Sequence, residues 1–93
     1  ANEADVLNVA LFGMTAANWR LRNKGKKGNI RDAATIQQLV VLANLESYNA
    51  EMIRQGLDQH VRLKRLNSAA IAQLQSLLNN NDIKRLLDNS DLK

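Results

Sequence analysis

Hydrophobic residues recur at helical spacing along most of the chain, and polar breaks divide that pattern into segments. The first apolar stretch predicts a short helix over residues 3–12, which Gly13 ends as a C-terminal glycine cap. Thr15 stands where an N-cap is expected and predicts a second short helix over residues 15–22. The polar residues that follow predict a loop over residues 23–31.

Two longer helices are predicted after this loop. Thr35 and Gln38 have the spacing of a capping box at the start of a helix over residues 33–55, and Gly56 ends that helix. A second long helix is predicted over residues 58–78. Because the connection is so short, the two helices are expected to be antiparallel neighbours. The centre of the predicted fold is therefore an α-hairpin.

Each long helix carries a stripe of apolar residues that we expect to face the core. In the first helix the stripe comprises Ile36, Leu39, Val40, Ala43, Ala50 and Ile53, widened by Leu42, Leu45 and Met52. In the second it comprises Leu63, Leu66, Ala70, Leu74 and Leu77, flanked by Ile71 and Leu78. Asp58 is the expected N-cap of this second helix. The two stripes hold more apolar surface than a two-helix hairpin can remove from water.

Three consecutive asparagines at residues 79–81 interrupt the pattern, and a last short helix is predicted over residues 82–88. The chain has no proline, and its apolar residues are mostly leucine and alanine, which favour helix over strand. We therefore predict an all-α fold, a small helical bundle built on a long antiparallel α-hairpin with short helices at both ends.

The composition limits what such a domain can do. Among 93 residues there is no cysteine and one histidine, which excludes disulfide frameworks and metal sites built on cysteine or several histidines. The longest apolar run, residues 39–43, is too short to cross a bilayer, and no signal peptide opens the chain. We expect one soluble, cytoplasmic domain without cofactor, metal or membrane contact. Its modest core makes a homodimer an open alternative to a monomer.

No residues in the sequence have the spacing of a catalytic site. His60 lies two positions from Asp58, which on a helix puts the two side chains on different faces, and neither has an identifiable nucleophile. The sequence therefore predicts a protein that is not an enzyme and has no small-molecule substrate.

Positive charge is concentrated in one part of the chain. Thirteen basic and nine acidic residues give a net charge of +4. Six basic residues lie within 12 positions that hold no acidic residue, so the remaining seven basic and nine acidic residues sum to −2. The six are Arg20, Arg22, Lys24, Lys26, Lys27 and Arg31. This segment is interpreted as a solvated loop, as a contact for phosphates or as a contact for a partner's acidic surface.

Two further groups of polar residues lie within the long helices. A weaker basic cluster, read as a solvated helix face or a second phosphate contact, comprises Arg62, Lys64 and Arg65. Asparagine is a poor helix former, yet it occurs at positions 44, 49 and 67. Simple exposure, buried hydrogen bonding and partner specificity are the three explanations for these asparagines.

Several short strings follow one another in a distinctive order. They are LFGMTA at 11–16, WR at 19–20, KGNIRD at 27–32 with AT at 34–35, QL at 38–39, NLE at 44–46, NA at 49–50, and RL with LN between 62 and 67. In this order they resemble the C-terminal region of the KilA-N family of bacterial and phage proteins. The resemblance covers roughly residues 4–78 and departs at Ala33, where the family has an aromatic residue.

The resemblance implies a helical segment that follows a DNA-binding KilA-N domain, a domain this chain does not contain. With the wide apolar stripes, it favours a non-enzymatic helical interaction domain, for self-association or partner binding, accessory to a phage-type DNA-binding regulator. DNA would then be contacted chiefly through the upstream domain. The alternative is direct nucleic-acid binding through the basic loop Arg20–Arg31. Surface or network candidates within the matching strings are Trp19, Arg20, Asn29, Arg31, Asp32, Asn44, Glu46 and Asn49, with Arg31 and Asp32 open to a structural ion pair.

Overall fold

The computed structural model describes residues 2–91, with side chains described for residues 2–79. Its elements are α1 (Glu3–Phe12), α2 (Ala16–Arg22), α3 (Ile36–Arg54) and α4 (Gln59–Asp91), with no strand in the described residues. The two long helices α3 and α4 pack together as a hairpin, and α1 packs against both of them. The predicted all-α class with a long α-hairpin is confirmed.

Local hydrogen bonds form at the predicted helix ends. The Thr15 side chain accepts from the N–H of Asn18, and Thr35 and Gln38 form the reciprocal capping box that starts α3. After α3, Gly56 adopts φ of 81°, and its N–H donates to the carbonyl of Ile53. In this left-handed conformation Gly56 turns the chain, and only four residues lie between the end of α3 and the start of α4.

The predicted break at residues 79–81 is wrong. Helix α4 runs through the three asparagines without interruption, so the short helix expected over residues 82–88 is the last part of α4. Asparagine lowers helix stability by only about 0.7 kcal/mol per residue relative to alanine, whereas extending an existing helix avoids the cost of nucleation. Without glycine or proline, nothing in this segment stops α4.

The core lies where α1, α3 and α4 meet. Its buried residues are Val6, Leu7 and Ala10 of α1, Val41, Leu42, Leu45 and Met52 of α3, and Leu66 and Ala70 of α4. Leu63, Leu74 and Leu77 of α4 are partly buried against this cluster, so the stripe predicted for that helix is the one that faces the core. Ile71 and Leu78, expected to flank it, are exposed.

The stripe predicted to bury α3 is on the wrong side of the helix. Its six main members, Ile36, Leu39, Val40, Ala43, Ala50 and Ile53, are all exposed. We call these six residues the outer face of α3. The buried side is formed instead by the residues expected only to widen the stripe, together with Val41 and Asn49. The buried side holds Leu42, Leu45 and Met52, whose long side chains fill the space between the three helices, whereas two of the six outer-face residues are alanines.

Candidate interaction surfaces

A polar network with Arg62 and Asn49 buried and the carboxylate of Glu3 near the surface links the three core helices; we call it the buried network. The guanidinium of Arg62 binds the carboxylate of Glu3 through two contacts, Nη1 to Oε1 at 2.6 Å and Nη2 to Oε2 at 3.1 Å. Nη1 also donates to Oδ1 of Asn49 at 2.8 Å, and Nδ2 of Asn49 donates to Glu3 Oε1 at 2.8 Å. Nε of Arg62 donates to the carbonyl of Leu57 in the turn between α3 and α4. Every side chain in this network therefore bonds to another element of the fold.

The network assigns Arg62 a structural role. Its side chain is buried, and its hydrogen bonds to Glu3 hold the pKa of that carboxyl below the ordinary 4.5 and raise the pKa of Arg62. Both groups are thus charged at neutral pH, and each neutralises the other. The expectation that Arg62 forms part of a solvated or phosphate-binding cluster is wrong, because its donors are already occupied within the fold.

Lys64 and Arg65, the other members of that cluster, are exposed. They line a shallow surface hollow beside Tyr48 of α3. Within the part of the chain whose side chains are described, neither cation forms an ion pair. Their role in binding a partner or nucleic acid stays a prediction.

The three asparagines within the long helices all make hydrogen bonds between helices. Asn49 belongs to the buried network, Asn44 donates to Gln73 of α4 at 3.1 Å, and Asn67 donates to the carbonyl of Ala10 in α1 at 2.8 Å. Of the three explanations left open by the sequence, buried hydrogen bonding is confirmed for Asn49, whereas Asn44 and Asn67 are exposed residues whose amides also bond to a neighbouring helix. In each case the short side-chain amide of asparagine reaches a group on a neighbouring helix.

Hydrogen bonds between side chains and backbone shape the last part of the basic loop. Oδ1 of Asn29 accepts from the N–H groups of Arg31 and Asp32, and Oδ2 of Asp32 accepts from the N–H of Asn29 at 2.9 Å. Gly28 has φ of 90°, and a Cβ there would lie 2.7 Å from Asp32 Oδ2, so only glycine fits this approach. Asp32 therefore shapes the loop, and the ion pair considered between Arg31 and Asp32 is absent.

Ile30 anchors this loop to the rest of the fold. Its side chain is 4% exposed and shares a hollow with Phe12, Met14 and Trp19. The six cations of the loop and of α2, in contrast, are all exposed and form no ion pair with any described side chain. The segment from Arg20 to Arg31 therefore presents six exposed positive charges without an ion-pair partner among the described residues.

The outer face of α3 is a row of apolar side chains that the rest of the described structure leaves uncovered. Ile36 is 78% exposed, and Leu39, Val40 and Ile53 are between 41% and 46% exposed. The backbone measures 53 × 40 × 15 Å, and a depth of 15 Å accommodates at most two layers of helix. Among the residues that the structure describes, no third layer of helix lies over α3, so this face is open to solvent.

Sequence patterns did not identify two polar residues of α1, Glu3 in the network and the buried Asn8. Glu3, the partner of Arg62, lies 59 positions away from it in the chain, and nothing in the local sequence pairs them. Asn8 is also buried, in α1, and its Oδ1 has no hydrogen-bond partner among the described residues. For Asn8, the sequence offers one signal, a polar residue within an apolar helical stretch.

Within the described residues, no group of three or more His, Asp or Glu side chains is placed to hold a metal ion. His60 is exposed at the start of α4. None of the helices in the described residues is long and apolar enough to cross a membrane.

Comparisons with protein-family models, with curated proteins and with solved structures gave no match to this chain.

Proposed function

We propose that this protein is a non-enzymatic helical interaction domain that binds a second protein surface through the outer face of α3. The observation that carries the proposal is the exposure of six apolar residues along one side of that helix. Helix α3 is apolar on both sides, a pattern typical of helices that are covered all round. Within this fold only one side is covered, so the other is available to a partner.

The extent of the outer face supports this proposal. From the exposed fractions of its side chains we estimate an apolar area on the order of 500 Å², which lies in the upper part of the range for the largest patch on a typical monomer. None of the six residues belongs to the core cluster, to which α3 contributes residues of its other side. Association is the physical role that remains for such a surface.

A pair of triple variants tests the proposal. In the first, Ile36, Val40 and Ile53 of the outer face become glutamine, which we expect to abolish association without reducing helical content. In the control, Leu21, Ile71 and Leu78 become glutamine. These apolar residues are exposed as well, each by more than half, but they lie on α2 and α4. Sedimentation equilibrium measures self-association, and parallel capture from host extract compares the proteins bound by each variant.

We expect the outer-face variant to lose a complex that the wild type and the control variant both form. The proposal fails if the wild-type chain sediments as a 10.4 kDa monomer at several hundred micromolar and the outer-face variant also captures the same proteins as the wild type. Loss of binding in both triple variants to the same degree also counts against it, because general apolar stickiness then explains the result.

The biological setting is proposed on the resemblance to the KilA-N family, in which a helical segment follows a DNA-binding domain. In that setting the domain is accessory to a phage-type DNA-binding regulator and joins two regulators or a regulator and a partner. The sequence encoded directly upstream of this chain tests the idea. A KilA-N domain there supports it, and an unrelated upstream sequence contradicts it.

Direct nucleic-acid binding is the second candidate, favoured by the six exposed cations between Arg20 and Arg31 that have no ion-pair partner among the described residues. Replacing Lys24, Lys26 and Lys27 by alanine is expected to weaken binding to duplex DNA and to reduce the slope of log affinity against log salt by about three units, close to one per lost phosphate contact. Fluorescence anisotropy at several salt concentrations measures both quantities. Unchanged affinity in this variant eliminates the loop as the contact.

A further inference from the structure

We infer that the surface which covers the outer face of α3 is the same face of a second copy, with the two α3 helices antiparallel across a twofold axis. The inference rests on the proposed interaction function and specifies its partner. Three properties of the outer face carry it: its area, the order of its residues and the position of the basic loop beside it.

The area is what a homodimer of this size needs. Stable interfaces bury about 800 Å² on each partner, of which about 65% is apolar in homodimers. The apolar area on the outer face, on the order of 500 Å², is close to the apolar share of such an interface, and Glu46 and Ser47, which lie between its apolar residues, supply part of the polar remainder. A single copy of the face is therefore sufficient on each side of the interface.

The order of residues along the face is self-complementary. Large side chains, Ile36 and Ile53, stand at its two ends, about 26 Å apart along the helix, with the small Ala43 near its middle. An isologous contact requires that residue i meets residue j and that j meets i. An antiparallel arrangement centred between Ala43 and Glu46 satisfies this rule, because it sets Ile36 against Ile53 of the partner subunit and Leu39 against Ala50 of the partner subunit.

The basic loop selects the antiparallel over the parallel arrangement. The loop ends just before α3, so a parallel pair would place two loops of six unpaired cations side by side. An antiparallel pair separates them by the length of α3, about 28 Å, which is well beyond the Debye length of about 8 Å at physiological salt. Antiparallel helices also bring opposite ends of their dipoles together.

Introduced cysteines test this arrangement cleanly, because the chain has none of its own. The Ala43→Cys variant is expected to form a disulfide-linked dimer under mild oxidation, since two residues this close to the axis fall within the Cα separation of about 4.4–6.8 Å that a disulfide spans. Ile36→Cys and Ile53→Cys are each expected to remain uncrosslinked alone and to crosslink with one another when mixed. Lys64→Cys, on an exposed part of α4, is the control for random collision.

The outcomes separate this inference from the proposed function. Crosslinking of Ile36→Cys with itself and of Ile53→Cys with itself indicates a parallel pair and overturns the antiparallel arrangement. A wild-type monomer at several hundred micromolar overturns the second copy as partner, while binding of another protein that is lost in the outer-face variant leaves the interaction function intact. Crosslinking of Lys64→Cys as efficiently as Ala43→Cys also overturns the inference.

Discussion

Replacing Leu45 by alanine is expected to lower the free energy of unfolding by about 2–5 kcal/mol. Leu45 is completely buried between α1, α3 and α4, so its truncation removes apolar contacts and leaves a cavity in a tightly packed site. For a domain of this length such a loss lowers Tm by at least about 10 °C. Thermal or urea unfolding followed by circular dichroism, at low protein concentration so that association adds nothing, measures it.

Leu39→Ala on the same helix is the matched control. Leu39 belongs to the outer face and is 41% exposed, so its truncation is expected to change the free energy of unfolding of the monomer by less than about 0.5 kcal/mol. The two variants differ only in which side of α3 loses a leucine side chain. Equal destabilisation by both substitutions would show that the outer face is packed and would contradict the fold described above.

Replacing Asn49 by alanine is expected to lower the free energy of unfolding by about 1–3 kcal/mol. The substitution removes one acceptor from the buried Arg62 and one donor from Glu3, whose carboxylate is partly exposed. Arg62 and Glu3 stay paired with each other, but one buried N–H of Arg62 loses its acceptor, which costs more than the loss of an exposed hydrogen bond. The same unfolding experiments measure it.

Asn44→Ala is the control for this second substitution, since it is the same change on the same helix. The bond from Asn44 to Gln73 also joins α3 to α4, but both donor and acceptor regain water when it is broken. We expect a loss of less than about 1 kcal/mol. If Asn49→Ala is no more destabilising than Asn44→Ala, the buried network adds nothing beyond a surface hydrogen bond.

Features that depend on a few neighbouring residues were predictable from the sequence. The capping box at Thr35 and Gln38, the turn at Gly56 and the N-cap at Asp58 involve groups within five positions of each other, so the local spacing is sufficient. The concentration of six cations in one loop is likewise a property of the chain order. The continuity of α4 through residues 79–81 was not predictable in this way. Weak helix formers lower the stability of a helix locally, but whether the helix ends there also depends on the residues on either side.

The sequence by itself therefore determined the helical class, the hairpin and the concentration of positive charge in one segment, because these follow from local propensity, from the short connection between α3 and α4 and from the order of the residues. Tertiary structure decided which side of α3 is buried, since both sides are apolar at helical spacing and only packing against α1 and α4 distinguishes them. It also decided the role of Arg62, whose partner Glu3 is brought to it only when α1 docks. Burial and pairing are properties of neighbours distant in the chain, and the exposed side of α3 could be recognised as an interaction surface only after the other side had been filled.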